Sequence, residues 1–474
     1  MGGQRSPIIF WFRRDLRLAD HPGFHEACRS GRPVLPVFIA DDAVSDLGAA
    51  PKWRLGLGLE SFTQALDARG SRLILRRGEA AQVLRDLLQE TGAGAVWWSR
   101  LYDPKAQARD SAIKADLKAQ GIDARSFEGH LLFEPWTVST KTGGYFKVYS
   151  ALWRAVQGRE VAAALPEPAR IPAPAAWPWS EQLETWHLEA AMNRGAAVVG
   201  AHVTPGEASA RARLDAFVET SIDGYKTQRD YPAIDATSGL SDYLSLGEIS
   251  PRLLWLAGQR ARAEHQNGAE HFLKEVVWRE FAYHLMYHAP HLLSGNWKEG
   301  WDSFPWRTDA DAPEVLAWKQ GRTGIPFVDA AMRELYVTGR MHNRARMIVA
   351  SFLTKHLMTH WKIGMDWFAD TLADWDPASN AMGWQWVAGT GPDAAPYFRV
   401  FNPELQQKKF DTDGVYVARW LAETQPDPPD TALSFFRAAP RLWSLAPGDP
   451  YPGPVVPLDV GRKRALAAYQ LKGV

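Results

Sequence analysis

Three segments in the second half of the chain concentrate side chains able to do chemistry. The first, Thr237-Ser238-Gly239-Leu240-Ser241, sets three hydroxyls about one glycine just ahead of helical sequence. Such a turn offers hydroxyl and backbone N–H donors to an anion, pyrophosphate above all, although a hydroxyl-rich loop capping a helix is the commoner origin of the pattern. The second, GRMHNRARM from Gly339 to Met347, gathers Arg340, Arg344 and Arg346 about Asn343. The third, DWDPASNAMGWQW from Asp374 to Trp386, combines Asp374 and Asp376 with Asn380 and the Trp384/Trp386 pair. An earlier run, EVVWREF, adds Glu275 and Trp278. Basic and aromatic groups interleaved in this way suit a nucleic-acid backbone carrying an unstacked base. Acids beside an arginine and an asparagine suit a heterocycle with donors and acceptors along its edge.

These segments need a frame. Short apolar runs at Ser6–Phe12, Pro33–Ala40, Ser71–Arg76, Ala95–Leu101 and Asp123–Leu132 alternate with amphipathic stretches at His21–Arg29, Lys52–Arg69, Glu79–Glu90 and Lys105–Gln120. That alternation predicts a parallel, Rossmann-like, doubly wound α/β domain over 1–132, with a ligand crevice at the carboxyl ends of its strands. No GxGxxG follows the first strand, and Gly56-Leu57-Gly58 sits inside a helical stretch, so ordinary dinucleotide binding there is not expected. Residues 133–203 read as an interdomain linker, with five prolines between Pro166 and Pro178 that cannot continue a helix or a ladder. From 204 to 474 the periodicity is helical, predicting a larger all-α domain. Ser250-Pro251 opens one helix as N-cap and first helical residue, and helical spacing recurs at 269–288, 326–337, 344–361 and 365–373.

Composition narrows the function. The 474 residues carry 54 basic and 54 acidic side chains, so a nucleic-acid site must be a local patch and not a global field. No apolar run approaches the ~20 residues needed to cross a bilayer, and the amino-terminal sequence lacks a signal-peptide core. Cys28 is the single cysteine, which excludes an intramolecular disulfide, a cysteine-rich zinc site and a four-cysteine iron–sulfur cluster, and points to a reducing cytoplasm. Tryptophan is the anomaly: 22 against 13 tyrosines, more than core filling readily explains.

Taken in order, FRRDLRLADHPGF, TSGLS, WREF, MHNRARM and NAMGWQWVAGTGPDAAPYFRVFNP make the chain resemble the photolyase/cryptochrome family along essentially its whole length, on the side of class I-like photolyases of cyclobutane pyrimidine dimers. The resemblance implies FAD, folded into a U inside the helical domain and acting as a light-driven electron donor. Tyr225 matches the family tyrosine ahead of the turn, and Thr237, Ser238, Gly239, Leu240 and Ser241 match the residues that hold the diphosphate. Trp278, Asn343 and Arg346 match cofactor contacts; Arg346 is expected to pair with Asp374 beside the isoalloxazine, Asp376 to lie near the adenosine and ring system, and Asn380 to face flavin N5. Trp384, Trp361 and Trp306 match an electron-transfer chain to the flavin. Trp278 and Trp386 match residues that pack against a flipped-out dimer, which Glu275 hydrogen-bonds. Arg229, Asn343, Arg344 and Gln406 match positions that touch DNA or lesion, with Lys408 and Lys409 as further phosphate contacts. The implied partner is UV-damaged DNA, met by a monomer.

Members specific for (6-4) photoproducts have two histidines where this sequence has Asn343 and Met347, which favours cyclobutane dimers. The chain stops soon after GRKRALAAYQLKGV, without the long tail through which cryptochrome photoreceptors often signal, so a photoreceptor without repair is the alternative. Ala381-Met382 departs from the small polar or glycine residues common in photolyases. The resemblance places a second, antenna chromophore in or beside the α/β domain and leaves a folate, a deazaflavin and an empty site open, with Tyr102-Asp103 and Lys52-Trp53-Arg54 either as its contacts or as residues that cap elements and face solvent. His284, His288 and His291, with Glu280 one turn earlier, imitate a zinc face, but no fourth ligand follows and no metal is expected. The RRDLR arginines are expected to fix the first loop against carboxylates.

Overall fold

The computed structural model describes residues 5–395 and 397–471; of the segments above, Pro396 within NAMGWQWVAGTGPDAAPYFRVFNP and residues 472–474 at the end of GRKRALAAYQLKGV lie outside the described residues. Strands β1 (Ile8–Phe12), β2 (Val34–Ala40), β3 (Ile74–Arg77), β4 (Ala95–Ser99) and β5 (Asp123–Phe127) form one parallel sheet in the order β3-β2-β1-β4-β5. β1 is buried along its whole length because alternate residues serve opposite faces. Ile8, Phe10 and Phe12 pack with Phe24, Leu59 and Phe62 of the Pro22–Arg29 and Ala49–Asp67 helices. Ile9 and Trp11 pack on the other side with Leu84, Leu87 and Ile113 of the Ala80–Thr91 and Pro104–Ala119 helices.

The proline-rich stretch is not loose. Val34 N–H donates to Pro172 O, Glu181 N–H to Leu75 O and Asp20 N–H to Leu165 O, which straps it along the sheet domain. The same 133–203 region holds the Tyr149–Val156 and Gly195–Gly200 helices. Tyr149, Leu152, Trp153 and Val156 enter the core around the Ala269–His288 helix.

Beyond it the fold is helical. Ser250 caps the Pro251–Ala263 helix, its hydroxyl accepting from Leu253 N–H. The single helix expected at 344–361 is instead two. Asn343–Ser351 runs into a π turn at Phe352–His356, Met358 takes a positive φ, and a new helix starts at Trp361, capped by His360 Nδ1. Leu353, Leu357 and Trp361 keep helical spacing across the break, so the pattern alone conceals it. The interruption is held by Lys355, whose Nζ donates to Arg399 O, and by the Arg307–Thr359 bridge. No helix among the described residues is long and apolar enough to cross a membrane.

Candidate active site

A cavity of about 960 Å³ opens among the helices, the size of a cofactor pocket. Its wall brings together residues far apart in sequence: Tyr225, Arg229, the whole 237–241 turn, Glu275, Trp278, Asn343, Arg346, Met347, Asp374, Asp376, Asn380, Trp384 and Trp386. Local capping explains several of these placements. Asp376 is the N-cap of the Pro377–Ala388 helix, accepting from Ser379 N–H at 2.9 Å, and so opens the helix that carries Asn380, Trp384 and Trp386. His342 caps the Asn343–Ser351 helix in the same way and leaves Asn343 and Met347 on the cavity side. Gly239 sits at φ +63°, a left-handed conformation that lets the hydroxyl turn reverse direction. Arg213 locks that turn from behind, donating to Ser238 O at 2.8 Å and Thr237 O at 2.8 Å.

The charges are arranged around Asp374. Arg346 Nη2 donates to Asp374 Oδ2 at 2.7 Å and Ser241 Oγ donates to the same oxygen at 2.6 Å, while Oδ1 is buried without a partner. Trp375 Nε1, Trp384 Nε1 and His342 Nε2, in the same wall, are likewise buried without one. Unmet buried polar atoms are costly, so an acceptor and several ring N–H groups around one cavity fit a ligand that carries both donors and acceptors, as FAD does. Asn380 donates from Nδ2 to Met365 O at 3.0 Å, which fixes its side chain. At the rim Arg229 forms an ion pair with Glu275, and Trp278 stacks on Tyr149, 3.8 Å between ring centroids and 4° between planes. Met382, and not the buried Ala381, is the departing residue that borders the cavity.

Four expected site residues lie away from the cavity lining: Arg344, Gln406, Trp361 and Trp306. Arg344 pairs with Asp230 at 2.7 Å, and Gln406 is on the half-buried Pro403–Phe410 helix with Lys408 and Lys409 exposed. The three tryptophans are all buried in one core cluster. Trp384 packs against Gly364, where a Cβ would come within 2.0 Å of the indole, and Gly364 is on the helix that Trp361 begins. The His360 ring lies between the other two, 5.4 Å from Trp361 and 5.1 Å from Trp306.

Sequence reasoning missed Glu334, His342, Arg279 and Arg419 in the wall. Burial pushes the Glu334 carboxyl up to about 7 against the pull of Tyr416, which donates to it at 2.5 Å; burial takes His342 down to about 4. An acid on the inner face of the Pro326–Thr338 helix was the available signal.

Most of the residues named as candidate antenna contacts are engaged within the protein. Arg54 is fully buried, held by Glu248 and Asp242, and Trp53 is in a small core with Val199 and Val203. Tyr102 donates to Glu134 at 2.8 Å and Asp103 caps the Pro104–Ala119 helix. A second cavity, of about 690 Å³, lies where Ala49 meets residues 191–195 and the helical domain; it is lined by Tyr336, Trp367 and Trp443, with Arg194 and Arg441. The zinc-like histidines are otherwise engaged: His284 Nε2 accepts from Phe146 N–H, His288 stacks on Tyr145, and His291 stacks on Trp297. Glu280 accepts from Leu132 and Phe133 N–H as well as facing Arg279.

Comparison with known proteins agrees with this architecture. Residues 8–173 match the family described as DNA photolyase, and residues 272–471 the FAD binding domain of DNA photolyase. A deoxyribodipyrimidine photo-lyase of Agrobacterium fabrum is 45% identical over 99% of this chain and 98% of its own. The crystal structure of a bacterial class III photolyase from Agrobacterium tumefaciens superposes with a TM-score of 0.91 at 44% identity, covering 100% of this chain and 98% of the other. It is described as class III, where the motifs pointed to class I-like. An archaeal photolyase from Sulfolobus tokodaii, whose structure is described as holding two FAD molecules and implying a light-harvesting cofactor, gives 0.79 at 28% identity over 98% of this chain and 100% of that one.

Proposed function

The chain belongs to the photolyase/cryptochrome family, and from that membership we propose that it repairs cyclobutane pyrimidine dimers in UV-damaged DNA under blue light, as a deoxyribodipyrimidine photo-lyase. The observation that carries the reading is the cavity lined by Asp374, Asn380 and Trp384, in which Asp374, tied to Arg346 and Ser241, keeps an oxygen unpartnered. FAD, when bound and reduced, supplies the excited electron that opens the cyclobutane ring and receives it back.

The chain's own residues do the rest. The 237–241 turn, with Tyr225, receives the diphosphate, and Arg346 with Asp374 fixes the ring edge opposite Asn380. Arg346 beside the ring favours its anionic form through attraction in a low-dielectric site. Extruding a dimer from the stack costs a few kcal/mol, less for a damaged base; Trp278, held flat by Tyr149, and Trp386 offset that cost by stacking. Glu275, oriented by Arg229, accepts a hydrogen bond from the pyrimidine edge. Asn343 and Met347 stand near the lesion in place of the histidines of (6-4) enzymes. Arg229, Arg344, Gln406, Lys408 and Lys409 contact the strand. Trp384, Trp361 and Trp306 pass an electron inward to re-reduce oxidised flavin, indole being the most easily oxidised aromatic side chain. The second cavity, walled by three aromatic rings and two arginines, suits a planar anionic pigment such as a folate or deazaflavin. We place the protein in the cytoplasm, with access to the nucleoid, as a monomer.

The test is purified protein with reduced FAD, given a thymine-dimer oligonucleotide under blue light. Restored monomeric thymines are expected. Bound, reduced FAD with no restoration would make the chain a photoreceptor.

A further inference from the structure

The arginines of the FRRDLR run after β1 have separate destinations. Arg13 stays within the α/β domain, on Asp110 at 2.8 Å and on Ser99 O. Arg17 is buried and serves carbonyls only, those of Asp20, Gly129 and Gly247. Arg14 alone reaches a carboxylate of the cofactor cavity. Its Nε donates to Ser245 O at 2.7 Å and its Nη2 to Asp376 Oδ2 at 3.2 Å.

Around that contact Asp376 is held from every side. Tyr283 Oη donates to Oδ2 at 2.5 Å, and Ser379 N–H to Oδ1 at 2.9 Å. Behind Tyr283 stand His130 Nε2, 2.9 Å from the phenol oxygen, and Arg279, 3.0 Å from the imidazole. Burial would push the Asp376 carboxyl up, but Arg14 first, then Arg279 and the bonds from Tyr283 and Ser379, hold it below its ordinary value. Among the described residues Arg14 is thus the one cation in hydrogen-bonding contact with this carboxylate, and it comes from the other domain.

We propose that Arg14 is a positioning residue for the cofactor site: by gripping one oxygen of Asp376, the first loop of the α/β domain fixes how that carboxylate meets the ligand in the helical cavity. The inference rests on the cavity being the flavin site. A charge-assisted bond to a partly buried carboxylate is directional and strong, and removing one partner leaves the other charge poorly compensated. Arg14 therefore ties the placement of the sheet domain to the electrostatics around the flavin, which makes this one arginine of the RRDLR motif part of the cofactor site and not merely a domain clasp.

The experiment is a double-mutant cycle on the full chain reconstituted with FAD, reading FAD affinity and the absorption bands of oxidised flavin. Arg14→Gln and Arg14→Lys are each made alone and on an Asp376→Asn background, so that the cycle survives if one variant does not fold. Expected are an affinity loss of about tenfold and displaced flavin bands for Arg14→Gln, partial recovery for Arg14→Lys, and little further change from either on the Asp376→Asn background. Arg13→Gln, in the same loop, leaves the flavin bands in place. Equal losses on both backgrounds, or bands unmoved by Arg14→Gln, overturn the inference. Failure of the parent chain to bind FAD would instead overturn the reading of the cavity itself.

Discussion

Two regions rich in charge invite a ligand, and they differ in how completely their charges answer one another. At the carboxyl ends of the strands, where an α/β sheet usually binds its ligand, Arg13 takes Asp110, Asp15 takes His21, and Arg109 takes Asp41 and Asp110. Asp15, Asp41 and Asp110 leave no buried oxygen unpartnered there, although Arg13 Nε and Ser99 Oγ stay buried without a partner. In the helical cavity Asp374 keeps one oxygen unpartnered, beside indole and imidazole nitrogens in the same condition. A closed set is structural; an open set around a cavity awaits a ligand. The Rossmann-like domain here is a scaffold at the place where its fold would predict a site.

That contrast can be broken by experiment. The largest effect is expected from Asp374→Asn, which strips Arg346 and Ser241 of their shared carboxylate: FAD affinity falls by about 3 kcal/mol, more than a hundredfold, by titration of apoprotein with FAD. Trp386→Ala removes a stacking face, so a dimer-containing oligonucleotide binds about 2 kcal/mol more weakly while FAD stays bound; unchanged oligonucleotide affinity would move the lesion elsewhere in the cavity.

The closed network should answer in stability instead of ligand binding. Burial alone would raise the Asp15 carboxyl, but the bond and charge of His21 with Arg13 N–H bring it down to about 2. A carboxyl depressed in the folded state stabilises fully above its unfolded value near 4 and loses that contribution as pH falls through about 2. Asp15→Asn is accordingly expected to cost about 2 kcal/mol at neutral pH and to flatten the acid limb of the denaturation profile; a parallel loss of FAD affinity in folded protein would contradict the division between the regions. The smallest effect is expected from Trp306→Phe, buried outside both regions: slower photoreduction of oxidised flavin, with FAD affinity and repair by pre-reduced protein unchanged.

Much of the scaffold was legible in the chain because continuous apolar runs alternating with amphipathic stretches leave few alternatives to a parallel sheet covered on both faces. Strand and helix positions in the first 127 residues follow the pattern to within a few residues. Much of the cavity wall was legible as motifs, since Asp376 is a local cap whose position is set by its own helix, whereas His342, a cap of the same kind, was overlooked. The break at Leu357–His360 was not, because helical spacing continues through it and the residues that enforce it, Arg399 and Arg307, are distant in sequence. Nor was the destination of the five prolines, which lie along the sheet through backbone bonds to partners that no local pattern names.

By itself the amino-acid sequence determined the layered α/β start, the helical remainder, the hydroxyl turn and the aromatic surplus, all of which arise from local periodicity and residue chemistry. Only the tertiary structure decided which charges would cancel and which would stay open. Arg54 and Lys52-Trp53 look as available in sequence as Arg346, yet Arg54 is sealed between Glu248 and Asp242 away from the cavity, while Asp374, paired with Arg346, keeps an oxygen unpartnered in the cavity wall. Pairing depends on which segments meet in space, and a charge's function depends on what is left of it after that meeting.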